Sequence, residues 1–245
     1  MRIFLLTLFT THLLTGCDDD RGSGKASGAI VTNNRTGELV FSYETAHPKA
    51  QAFMKDTFYW SEIEETAPFG NDGGFDAASG FRAWRFQHKL ASPMKYIDKY
   101  LTDIGFPVFD YNEVDSTKIR EYIEAQANPG EIIIQERVRD LKNSLEKSDD
   151  SVMKKIDDKQ LRKSVETAAK DMGAEELLDV DNVIIGIGFA QFVMEGRMEN
   201  ELRSLVMNTI KRELLPILMM RYDEKYRDTR REQLNRMLAV VKISE

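Results

Sequence analysis

Side chains able to do chemistry are densest between residues 58 and 85, where the chain reads FYWSEIEETAPFGNDGGFDAASGFRAWR. Asn71, Asp72 and Asp76 stand in and just after a run rich in proline and glycine. Oxygen donors spaced this closely can ligate a hard cation or accept from the amides of a turn. A calcium loop of the EF-hand type needs glycine at its sixth position and an acid at its twelfth. Counted from Asp72, those positions hold Ala77 and Ala83, so the pattern fails. The simpler expectation is that Asp72 and Asp76 satisfy turn amides and cap the next helix. His47 would serve as a general base if the fold brought it to Asp72 or Asp76. Its place directly before Pro48 also suits a helix-entry residue. Trp60, Phe69, Arg82 and Trp84 complete a candidate surface on which aromatics and acids could meet a basic partner. Elsewhere the motifs fail. His12 and His88 have no metal-ligand spacing, and H-E-x-x-H, G-x-S-x-G and cysteine pairs are absent. Gly186-x-Gly188 lacks the third glycine of a dinucleotide loop. Arg221, Arg227, Arg230, Arg231 and Arg236 could clamp an anion, but acids alternate with them, which favours a solvated helix face. No catalytic constellation, metal site or cofactor is expected.

The single cysteine, Cys17, closes the run LLTGC and precedes three aspartates. Arg2 supplies a short positive region, and residues 3 to 14 are mostly apolar, too short to span a bilayer. An aliphatic residue, two small residues and a cysteine resemble the lipobox of bacterial lipoproteins. That resemblance implies a diacylglycerol on the Cys17 thiol, removal of residues 1 to 16, and further acylation of the new amino group. Two or three acyl chains anchor stably where one is marginal. Asp18 and Asp19 resemble the signal that retains such proteins in the inner membrane, facing the periplasm, with the outer membrane as the alternative. The expected partners are thus the lipid bilayer, through acylated Cys17, and an unidentified protein. The net charge of −7 repels phosphate backbones and argues against nucleic acid. One cysteine allows no internal disulfide.

These groups need elements to position them. Residues 17 to 28, CDDDRGSGKASG, are too polar to bury and read as a tether, leaving residues 29 to 245 as one domain. Two β-prone runs around Asn33-Asn34-Arg35-Thr36-Gly37 predict a hairpin over residues 29 to 43. From Thr45 onward the pattern is helical. Helices are predicted over 48–58, 76–88 and 93–104, the last stopped by Gly105 and Pro107. Ser116 opens a fourth, closed by Asn128-Pro129-Gly130. Ile134, Val138, Leu141 and Leu145 stripe a fifth; Leu161, Val165, Ala168 and Met172 stripe a sixth, stopped by Gly173. Between them, KSDDSVMKKIDD reads as a charged loop. NVIIGIGFAQFVMEG is apolar on all sides and predicts a buried helix, capped by Asp181 or Asn182 and ended by Gly196. A long helix over 200–222 should kink at Pro216, and Thr229 should open the last one. The expected fold is all-α, about eight helices with a small N-terminal β-hairpin.

Five blocks, HPKAQAFMKDTFYW, APFGNDGGFD, FRAW, IIGIGFAQFVMEGR and YRDTRREQLNRML, together resemble the YfeS-like family of bacterial proteins, over about residues 43 to 241. That family is related to a molybdate-metabolism regulator. The resemblance implies a mostly helical domain and carries no activity, cofactor or catalytic residue with it. The lipobox, tether and hairpin depart from it and put a cytoplasmic role in doubt. The leading expectation is a membrane-tethered, non-enzymatic interaction module, an immunity-type protein being one version. The alternative is a ligand- or metal-binding protein or hydrolase using His47, Asp72 and Asp76.

Overall fold

The computed structural model describes residues 41–106, 109–147 and 156–245. Its helices begin where a side chain can take up an orphan amide. His47 opens α1 (Pro48–Phe53), its Nδ1 accepting from the Lys49 amide at 3.1 Å. The helix expected to reach residue 58 stops at Phe53, because Asp56 starts a separate 3-10 turn, Thr57–Trp60, by accepting from the Phe58 amide at 2.9 Å. Asn71 caps α2 (Asp72–Gln87) through Oδ1 to the Gly74 amide, 2.6 Å. This start precedes the predicted one, because Asn71 rather than Asp72 or Asp76 supplies the cap. α3 (Met94–Asp103) ends before Gly105, whose φ of 73° reverses the chain. Asp115 caps α4 (Ser116–Ala127), and α5 spans Glu131–Lys147.

α6 (Asp158–Glu195) overturns a predicted boundary. Asp157 and Gln160 form a reciprocal capping box, and the helix then runs 38 residues to Gly196, at φ 68°. Gly173 does not stop it. That glycine lies where α4 crosses, and a Cβ there would stand 2.8 Å from the Ile123 Cα. The missing side chain therefore serves a close helix crossing, not a turn. Asp181 and Asn182 accordingly cap nothing; both are interior to α6. α7 (Asn200–Glu213) ends before Pro216, which opens the short α8 (Pro216–Met219) instead of kinking one long helix. α9 (Glu224–Ile243) starts after Asp223, ahead of the expected Thr229.

The apolar half of α6 is the centre of the core. Ile184, Ile187, Phe189 and Phe192 are fully buried against Phe81 of α2, Leu202 and Val206 of α7, and Leu234 and Met237 of α9. α2 runs parallel to α6: Gly74 meets Gly186 at one end and Arg85 meets Glu195 at the other. The Gly74–Gly186 contact is so close that a Cβ on Gly186 would sit 2.5 Å from the Gly74 carbonyl oxygen. An 18-residue window of α6 is apolar enough to cross a membrane, yet 78% of it is buried in the body, as in a core helix. A smaller cluster, Ile119, Leu177 and Leu218, joins α4 and α8 to the outer half of α6.

The protein is all-α, with nine helices and no strand among the described residues. The predicted hairpin lies outside them except for residues 41 to 43. Of these, Phe41 is buried and stacks on Phe69, ring centroids 4.3 Å apart, and Tyr43 begins a 3-10 turn. Cys17, Asp18, Asp19, the tether and most of the predicted charged loop also fall outside the described residues.

Candidate functional site

The residues singled out in the sequence do not converge on a catalytic centre. His47 packs on Gly196, at the C-terminal end of α6, and its amide donates to the Val193 carbonyl at 2.7 Å. Asp72 starts α2 at the level of Asn182, fourteen residues back along α6. At 1.5 Å per residue that is a separation of roughly 20 Å. Asp76 is exposed on α2; partial burial and then Asp72 raise its pKa. Asn71 is committed to its cap. The aromatics face inward: Phe69 is buried, Trp60 donates to the Met54 carbonyl at 2.8 Å, and Trp84 stacks on His88 at 4.8 Å. Arg82 lies over the Phe41 ring at 5.8 Å, and burial lowers its pKa. Among the described residues no group of three or more His, Cys, Asp or Glu could hold a metal ion.

The chain instead builds a polar cleft where the 56–66 segment crosses α9. Two adjoining hollows, of about 430 and 510 Å³, share Glu64 as a common wall. Asp56, Phe58 and Gln233 line the first; Glu65, Arg221, Tyr222, Asp223 and Tyr226 line the second. Glu64 accepts from the Tyr226 hydroxyl at 2.6 Å and the Thr66 hydroxyl at 2.8 Å. These bonds, Tyr226 first, hold its carboxyl below the usual glutamate value. Gln233 Oε1 lies 3.0 Å from the Thr66 hydroxyl and 3.3 Å from that of Tyr226. With both hydroxyl protons directed to Glu64, its carboxylate is held in one orientation. Ile63, beside it, is 92% exposed.

Beneath the cleft lies a buried ionic cluster. Arg212 grips Asp181 with both side-chain carboxylate contacts fully buried, and its Nη1 donates to the Tyr111 and Glu113 carbonyls at 2.7 and 3.0 Å. Glu213 pairs with Arg221 and, at 3.4 Å, with Arg230. Both guanidiniums also lie against the Tyr222 ring, 5.3 and 5.6 Å from its centroid. Arg230 also donates to the Thr66 carbonyl at 2.7 Å, tying the cluster to the cleft wall. Asp181 and Glu213 lie close enough to influence each other's charge. Burial pushes Asp181 well up, whereas burial is outweighed at Glu213 by Arg221 and Arg230, which bring it to about 2. Three guanidiniums, Arg212, Arg221 and Arg230, thus face two buried carboxyls, Asp181 and Glu213.

The arginines therefore neither clamp an anion nor all face solvent. Arg230 and Arg221 turn inward, Arg227 donates to the Tyr222 carbonyl at 2.9 Å, and Arg231 is exposed. The signal for this was present: Arg230 falls on the same stripe as Leu234, Met237 and Val241. No family model, curated protein or solved structure matches the chain.

Proposed function

We propose that this protein is a membrane-tethered, non-enzymatic module that holds a basic segment of a partner protein in the cleft around Glu64. The observation that carries this is the hydroxyl-held Glu64 carboxylate, shared by two open hollows and bordered by Glu65, Asp223 and exposed Ile63. Carboxylates oriented before binding select a cation without reorganisation, and an apolar neighbour adds contact area. Tyr226 offers a ring to a guanidinium or ammonium. The tether part rests on Cys17 within LLTGC and on Asp18 and Asp19. The likeness to the YfeS-like family adds a helical domain to this reading and no chemistry. The hydrolase alternative loses its support with the roughly 20 Å between His47 and Asp72.

The test is fluorescence anisotropy with length-matched lysine/arginine-rich and glutamate-rich peptides. The basic peptide should bind, weaken as salt rises, and lose about tenfold on Glu64→Gln, the order expected for one charged hydrogen-bond acceptor. Equal binding of both peptides, or none of the basic one, would sink the assignment.

A further inference from the structure

The corner between α2 and α3 carries the most exposed large apolar side chains that lie side by side. Phe86, in the last turn of α2, is 65% exposed, and Leu90, in the following turn, is fully exposed. Lys89 lies over the Phe86 ring at 5.5 Å. The corner is firmly built, so these tips are held outward. Arg85, itself buried, is gripped by Glu195 and Glu199 and donates to the Ala91 carbonyl. The Ala91 amide returns to the His88 carbonyl at 3.0 Å, and His88 is stacked on Trp84. The half-buried Trp84 ring and the buried Tyr96 ring pack together behind it, 5.6 Å apart.

The charge around the corner is one-sided. Residues 77 to 97 hold Arg82, Arg85, Lys89 and Lys95 and no acid, in a chain with 41 acids and a net charge of −7. Glu195 and Glu199, which reach this end, are paired with Arg85. Among the described residues neither Lys89 nor Lys95 is paired to a carboxylate, and Arg197, 60% exposed just past α6, reaches Glu195 at 4.0 Å. Two protruding apolar tips on a convex turn, flanked by cations and backed by aromatic rings, are complementary to the surface of an anionic bilayer. Acyl chains accept the tips, and headgroup phosphates pair with the lysines. A pocketed protein partner would require a concave counterpart and has no such charge preference.

We infer that this corner docks on an anionic membrane surface, as a second contact that orients the body against the bilayer. The inference rests on the tethered reading, because a corner this small is weak alone and acts within a Debye length of a surface already at hand. Full-length protein, purified from the membrane fraction of a lipoprotein-processing bacterium, is reconstituted with vesicles containing bromine-labelled lipid. One set is rich in phosphatidylglycerol and the other is phosphatidylcholine alone. Flotation reports the anchor. Quenching at Leu90→Trp, after subtraction of the parent signal, reports the corner, and Lys170→Trp on the exposed outer half of α6 is the control. The expected result is flotation on both vesicles, with quenching at position 90 several-fold stronger on the anionic ones. Lys89→Glu with Lys95→Glu should abolish that quenching and leave flotation unchanged. Flotation with position 90 no more quenched than position 170 overturns the docking corner and spares the anchor. Quenching equal on both vesicles removes the role of the lysines and overturns the proposal as stated. Anionic-vesicle quenching without flotation keeps the corner and overturns the anchor.

Discussion

Glu213 sits at the centre of the buried cluster, paired with Arg221 and Arg230. Removing its charge leaves two guanidiniums buried without a counter-ion, a class of change that costs about 3–5 kcal/mol. Glu213→Gln should therefore lower the chemical-denaturation midpoint sharply, with an unchanged slope if the fold is kept. The pH dependence follows from the same group. Its folded pKa, about 2, is below the 4.5 of an unfolded glutamate, so the unfolded chain takes up its proton first as pH falls. The stability it supplies is present above about pH 4.5 and is lost toward pH 2; this acid limb should flatten in Glu213→Gln, as denaturant titrations at pH 2 to 7 would show. At the cleft, Tyr226→Phe removes a donor to Glu64 without removing the ring. Its expected effect is a loss of basic-peptide affinity smaller than that of Glu64→Gln, readable in the same anisotropy assay.

At the scale of elements, local signals marked one helix and one helix end correctly. Ser116 to Ala127 matches its predicted bounds, and Gly196 ends α6 as expected. They failed where a glycine or an acid has a tertiary role. Gly173 reads as a stop only until α4 is known to cross it, and Asp181 reads as a cap only until Arg212 is known to face it. The aromatics of the 58–85 segment looked like a surface because burial of Phe69 by Phe41, 28 residues earlier, is not written in local spacing. The cleft was missed for a related reason: Glu64 and Tyr226 are 162 residues apart, and no periodicity joins them. The Gly74–Gly186 contact gives a direct test of the α2–α6 crossing. Gly186→Ala must separate the two backbones, and overpacking of this kind costs about 1–3 kcal/mol despite alanine's better helix propensity. Gly130→Ala, which meets nothing within 4 Å, should leave the melting temperature nearly unchanged.

Across the whole molecule the proposed membrane corner and the proposed cleft lie at opposite ends. The C-terminus of α9 joins the corner end, where the Met198 amide donates to the Ser244 carbonyl at 2.6 Å. Tyr226, in the cleft, lies eighteen residues earlier on that helix, roughly 27 Å away. A body resting on the corner would therefore present its acidic cleft away from the lipid. Cys17→Ala should eliminate metabolic labelling by an alkyne fatty acid and release the protein from the membrane fraction; persistent labelling would place the acyl chain elsewhere. The unbroken α6 has a separate consequence. Its inner half is sealed by three helices, whereas its outer half is roofed by α4 and by α5, in which none of residues 131 to 146 is fully buried. The roof can lift while the centre stays shut, because the stability of a fold is not uniform along its length. A trace of protease should nick α5 first and leave a resistant core of α2, the inner half of α6, α7 and α9, so that this protein loses its structure from one end, as a hinged lid parts from a closed box.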